Sequence, residues 1–231
     1  MKRENIKISG IPAVLWGKPS NDVYLYIHGK NGNKEEVEQF ADIFIDKGLQ
    51  IFSIDLPEHG DRKEEKIALE PWNVVPELQM IMNYLKENWN RVYIIGNSIG
   101  CWFSLLAFQY ESIEKGLFIA PILNMEQLIK NMMKWASVTE NELKNKKKIE
   151  TSFGETLSWE YYNYTRDNPI DIWNVATKIL YPEKDSMTDI EVMKKFVEKF
   201  SSQLTVLHGA EHYIHKPKEI EFLRDWLEVN L

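Results

Sequence analysis

A chain of 231 residues suits one larger domain, or one domain carrying an insertion. At 44% hydrophobic and 27% charged, it has the composition of a folded globular protein, which excludes disorder along most of its length. A formal net charge of −7 argues against nucleic acid as a main partner, because a phosphate-binding surface is built from clustered Lys and Arg.

The N-terminal residues Met1–Asn5 lead into alternating polar and apolar positions rather than an apolar signal segment. Residues 5–16 alternate around Ser9-Gly10 and predict an antiparallel hairpin at a sheet edge. Val23–Ile27 is a buried-strand run, followed by a glycine-rich turn and a helical pattern from Lys34 to Lys47. Leu49–Ile54 is the next strand, and a polar loop from Asp55 to about Glu70 precedes an amphipathic helix from about Val74 to Asn88. Val92–Ile95 is a third buried run, Ser98–Tyr110 reads as a helix, and Leu117–Ala120 is a fourth run that ends at Pro121. From about Asn124 to Ala176 no clear strand is visible, and Met, Trp and Tyr accumulate. The basic run Lys144–Lys148 inside it reads as a solvated helix face or loop. The rhythm resumes with a strand at Lys178–Tyr181, a helix from Thr188 to Phe200, a strand at Leu204–Leu207 and a closing helix from Lys216 to Val229.

Strand followed by helix, repeated, predicts an α/β fold of parallel strands joined by crossovers and covered on both faces. The break predicts a core of residues 1–121 and 178–231, with a mostly helical insertion at 122–177. No stretch approaches the roughly 18 apolar residues of a membrane span. The single cysteine, Cys101, rules out an intrachain disulfide and fits a reducing compartment, so the chain reads as soluble and cytoplasmic.

The densest chemical signal is Val92–Gly100, which contains Gly96-Asn97-Ser98-Ile99-Gly100, a G-x-S-x-G pattern at a strand-to-helix handover. Such a turn exposes a serine hydroxyl above the C-terminal edge of the sheet and beside a helix N-terminus, which favours a developing anion. The plainer alternative is a Gly-Ser turn in which Ser98 caps the helix. A serine nucleophile needs a base. Of His28, His59, His208, His212 and His215, His212 lies just past the last strand, where side chains of a parallel sheet converge. His208 at the strand terminus suits a neutral hydrogen-bonded role, and His215 the surface. The orienting carboxylate is expected after the penultimate strand, at Asp185, with Glu183 and Asp189 as rivals.

Ser98, Asp185 and His212 in that chain order resemble the α/β-hydrolase superfamily. Tyr26-Ile27-His28-Gly29-Lys30-Asn31-Gly32 is similar to its H-G-x-x-G segment, and Asp55-Leu56-Pro57-Glu58-His59-Gly60-Asp61 to its D-x-P-G-H-G-x-S loop. The resemblance implies a mostly parallel sheet of about eight strands, helices on both faces and a helical lid at the insertion. It implies oxyanion-hole donors at the backbone N–H groups of Lys30 and Ile99, each worth roughly 3–4 kcal/mol in comparable sites, and structural roles for His28 and His59. The chain departs from the pattern at Asn97, where many members carry His, at Pro182 for a frequent Gly, and at Glu58 and Asp61 for the loop's Gly and Ser. The implied activity is cleavage of a carboxylic ester of a small or medium, partly apolar molecule through an acyl-enzyme. Acyl transfer, thioester, amide or C–C cleavage, and a silent binding protein, are the alternatives. Met132, Met133, Trp135 and Trp159 of the insertion, and Trp102 beside the serine, are candidates for an apolar acyl pocket. Most of the insertion's aromatics also fit plain core packing. No cofactor or metal is expected: there is no G-x-G-x-x-G and no H-E-x-x-H, and one cysteine cannot build a thiolate site.

Overall fold

The structure, a computed structural model, describes residues 2–231. In chain order it contains β1 (Arg3–Ile8), β2 (Ile11–Trp16), β3 (Asp22–Ile27), α1 (Ala41–Asp46), β4 (Gln50–Ile54), α2 (Pro71–Asn88), β5 (Arg91–Asn97), α3 (Ile99–Ala107) and β6 (Gly116–Ile119). There follow α4 (Met125–Trp135), α5 (Glu140–Lys146), β7 (Lys148–Glu150), β8 (Thr156–Ser158) and α6 (Trp159–Asp167), and then β9 (Thr177–Lys184), α7 (Ile190–Lys199), β10 (Gln203–Glu211) and α8 (Pro217–Asn230). The chain separates into two compact units. One runs up to Leu123 and resumes at Ile172–Leu231, and the other is Asn124–Asp171.

The larger unit is built on an eight-stranded sheet in the order β1-β2-β4-β3-β5-β6-β9-β10. The pairs β1–β2 and β2–β4 are antiparallel, and every other neighbouring pair is parallel. This is the mostly parallel sheet expected from the strand–helix rhythm. Strand alternation sends neighbouring residues to opposite faces. Tyr24, Tyr26 and Ile51 join Phe40, Phe44, Leu223 and Trp226 in one core cluster, while Phe52 turns the other way to meet Tyr84 of α2. The helices therefore cover both faces, and β3 is buried at all six positions, so that its Val23–Ile27 reads as a continuous apolar run because neither side meets water.

After β3 the chain places β4 on one side and β5 on the other. Connections that leave in opposite directions open a crevice outside the carboxyl ends of those two strands, where ligands of open α/β sheets bind. Residues 28–32 and 97–99 lie there.

Two local expectations are corrected. The pattern from Lys34 to Lys47 is not one helix: a 3-10 turn covers Lys34–Gln39, and the backbone breaks at Phe40 (φ −146°) before α1. Phe40 is 4% exposed and packs edge-on against Tyr26, and a straight helix does not serve that contact and Phe44 together. The smaller unit also holds strands where none was expected, the antiparallel pair β7–β8. Each has three residues and one apolar side chain, Ile149 or Leu157, too short to display a period of two. The basic run divides between α5 and β7: Lys144 and Lys146 stand on the last turn of α5, Lys147 caps it at φ 67°, and Lys148 opens β7, all exposed. Lys146 bonds Glu142, and Lys144 sits 5.9 Å over the Trp159 ring.

Candidate active site

Ser98 joins β5 to α3 with φ 52° and ψ −117°, a backbone conformation L-residues rarely adopt and one that costs of order 1–3 kcal/mol. Three backbone bonds hold it there. Its N–H donates to Ile119 (3.0 Å), and its carbonyl accepts from Cys101 and Ile122, each at 3.1 Å. The flanking glycines are steric necessities. A Cβ at Gly100 would stand 2.3 Å from the Ile27 carbonyl oxygen, and one at Gly96 would stand 2.9 Å from the Cys101 Cα. The turn therefore forms only if α3 packs tightly onto β3 and β5. The Ser98 hydroxyl makes no cap bond to α3, which disposes of the helix-cap alternative. It meets His212 Nε2 at 2.8 Å instead.

His212 follows β10 directly, and its ring is 19% exposed. Its Nδ1 lies 2.8 Å from Oδ2 of Asp185, whose carboxyl group has no solvent exposure. A carboxylate only accepts, so the ring proton sits on Nδ1 and Nε2 is left to accept from Ser98. The other Asp185 oxygen takes the N–H groups of Met187 (2.7 Å) and Thr188 (3.1 Å). Thr188 is tied down in turn through its hydroxyl to the Pro121 carbonyl. These two amide donors escaped the sequence reading, although Asp bonding its own backbone two residues on is a known turn habit. The rivals have other duties: Asp189 caps α7 through the Glu191 N–H, and Glu183 accepts from Gly209 and faces His208. His208 and His212 have the i, i+4 spacing of a helical metal pair. They stand instead on an irregular strand end, with register shifts between Leu207 and Glu211, and each is engaged by its own carboxylate. Among the described residues no group of three or more His, Cys, Asp or Glu is arranged to hold a metal ion.

The glycine-rich segment runs alongside the serine. A Cβ at Gly29 would lie 3.1 Å from that of Ser98. The turn is closed by the Gly32 N–H on the Gly29 carbonyl, with Asn31 at φ 65°. Asn31 N–H donates to His59 Nε2 (2.9 Å), whose Nδ1 meets the Pro57 carbonyl, while His28 Nε2 accepts from Leu56 N–H (3.0 Å). His28 and His59 thus brace their loops as neutral rings. Burial, opposed by the Gly29 carbonyl, pulls the His28 pKa down to about 4. Beside them the buried Asp55 accepts from the Lys34 N–H, the Lys34 ammonium and the Asp61 N–H, the last being one of the departures from the family loop. Ile99 is the first residue of α3, where a backbone N–H has no acceptor within its own helix.

The apolar candidates differ in burial. Trp102 is 2% exposed and tilts against Phe103, as a core residue does. In the smaller unit Met133 is buried, Met132 and Trp159 are half-buried, and Trp135 is 50% exposed with Phe153 edge-on beside it.

The family model described as serine aminopeptidase, S33, matches residues 18–223. The chain is a member of that family and an α/β hydrolase. Solved structures agree on the fold. Est1E of Butyrivibrio proteoclasticus, with ferulic acid bound, superposes with a TM-score of 0.75 at 17% identity over 98% of this chain and 97% of its own. Mouse alpha/beta hydrolase domain-containing protein 10 gives 0.76 at 13% over 100% and 98%, and the monoacylglycerol lipase of Paleococcus ferrophilus gives 0.68 at 16% over 96% and 99%. No curated protein matches the chain. Among the described residues of this hydrolase, no helix is long and apolar enough to cross a membrane.

Proposed function

We propose that this hydrolase cleaves carboxylic esters through an acyl-enzyme on Ser98, with His212 as general base and acid and Asp185 as its orienting carboxylate. The observation that carries the reading is the pair of 2.8 Å hydrogen bonds linking Ser98 Oγ, His212 and Asp185 across a strained strand-to-helix turn. As the Ser98 oxygen adds to the acyl carbon, its proton passes to His212 Nε2, and the imidazolium that forms is stabilised by the buried Asp185. The carbonyl oxygen becomes an anion, for which the Ile99 N–H at the head of α3 and the Lys30 N–H beside Gly29 are the proposed donors. His212 then returns the proton to the leaving alcohol. Water repeats the sequence against the acyl-enzyme and frees the acid. A monoacylglycerol lipase and a ferulic acid complex among the structural relatives direct the reading to carboxylic esters.

An active-site-directed fluorophosphonate tests it. One label is expected per chain, on Ser98, with none on Ser98→Ala. p-Nitrophenyl esters of graded chain length then give the acyl preference. Labelling at another residue, or no ester turnover by labelled protein, overturns the proposal.

A further inference from the structure

Under the 29–32 turn lies a line of polar groups that the reaction above leaves unused. The Tyr26 hydroxyl, 2% exposed on β3, donates to Glu36 Oε2 at 2.8 Å. The Asn97 side-chain amide lies 3.6 Å from where a Cβ at Gly29 would stand, and it favours the ionised form of the Tyr26 hydroxyl against burial. Asn97 immediately precedes Ser98, and Glu36 stands in the 3-10 turn that follows the glycine-rich segment. The line therefore runs from the residue before the serine to the far side of the Lys30 turn.

Its other end meets Gly32. A Cβ there would fall 2.6 Å from Glu36 Oε1 and 2.9 Å from both Cδ and Oε2. Gly32 does not have a left-handed φ, so its backbone alone accepts alanine, and what a side chain would meet is the end of the Glu36 side chain, which its bond to Tyr26 holds in place. Keeping a carboxyl half-buried is costly, and burial pushes this one above the usual carboxylate range, with the Tyr26 hydroxyl pulling the other way. An apolar residue serves the packing of a 3-10 turn without that cost.

We propose that Glu36 is a positioning residue: held by Tyr26, its carboxyl seats Gly32 and so sets the distance between the 29–32 turn and Ser98. The inference rests on the proposed reading, in which that turn supplies an oxyanion donor. The contact also gives a physical reason for the last glycine of the H-G-x-x-G segment in this chain.

The test is a double-mutant cycle on the full chain, reading kcat, KM, melting temperature and fluorophosphonate labelling. Gly32→Ala is expected to lower kcat about 100-fold with KM within about twofold, the effect of a turn displaced by about 1 Å. Glu36→Ala is expected to lower kcat about tenfold, whereas Glu36→Gln, which keeps an oxygen for Tyr26, stays within about threefold of wild type. With Glu36→Ala already present, adding Gly32→Ala is expected to cost less than about threefold more, because the clash is gone. Equal kcat for Glu36→Ala and wild type, or the same Gly32→Ala loss in both backgrounds, overturns the inference while Ser98 still labels. Failure of wild type to label at Ser98 overturns it together with the reading beneath it. Should Gly32→Ala not fold, the Glu36→Ala and Glu36→Gln pair decides, and equal kcat for the two overturns the inference.

Discussion

At the ends of β3 and β4 the polar groups are sunk in the protein. His28 and Asp55 have no exposed surface, Lys34 is 5% exposed, and each is engaged by a backbone group or an opposite charge. At the ends of β9 and β10 they are in water: the His208 side chain is 81% exposed, Glu183 half-exposed, and Tyr213 and His215 stack on each other at the surface. Only the Asp185 carboxyl is closed off there. The contrast separates two tasks. The β3–β4 end stores stability in a network that fails if any member is left unpaired. The β9–β10 end has little stability to lose, and it is there that the proposed reaction needs an imidazole able to pass protons to and from a substrate.

Substitutions at the two ends sharpen the comparison. The largest effect is expected from Asp185→Asn, which keeps the shape and the acceptor for Met187 and Thr188 but spoils the tautomer. It should lower kcat/KM about 10⁴-fold, about 5.5 kcal/mol of transition-state stabilisation, while the melting temperature stays within a few degrees. A large stability loss with activity retained reverses the assignment of tasks. Next is Asp55→Ala, which strands two amide donors and leaves the buried Lys34 ammonium only the more exposed Asp61 and Glu35. Urea unfolding should show a loss of about 3–5 kcal/mol.

Acid comes third. The His28 pKa is pulled from its ordinary 6.5 to about 4 by burial, with His59, Asp55 and Lys34 as the charged or titratable groups facing it. The folded ring stays neutral where the unfolded one is protonated, so the unfolded state binds more protons between these values and stability falls as pH drops from about 6.5 to 4. The contribution is about 3 kcal/mol over that window. Unfolding curves at pH 7 and pH 4 should therefore lie closer together for His28→Gln than for wild type, and an unchanged gap defeats the argument. The smallest effect is expected of His208→Ala. Its pair with Glu183 lies in water and adds little to stability, and its loss is expected to leave activity unaltered. A tenfold drop in kcat there gives the β10 end a role the geometry does not account for.

Much of this was legible in the chain itself. The buried strands announced themselves because parallel strands covered on both faces are continuous apolar runs, and Gly96-Asn97-Ser98-Ile99-Gly100 because its glycines answer to contacts of 2–3 Å. The split of Lys34–Lys47 was not legible, since periodicity cannot show that Phe40 is drawn toward Tyr26. Nor was β7–β8, where three residues carry no period. The two amides on Asp185 form a local turn that hydropathy does not report, and the Glu36–Tyr26 bond joins side chains of two separate segments, which the pattern of neither one reports.

Local steric and hydropathic constraints, then, were enough for the sequence alone to determine the sheet, the strand-to-helix turn at Ser98 and the residue types able to act there. Only tertiary structure decided which of five histidines meets that serine and which of three carboxylates meets the histidine, because Ser98 lies 114 residues from His212 along the chain and hydrogen bonds of 2.8 Å are set by the strand order that brings β5, β9 and β10 into one sheet.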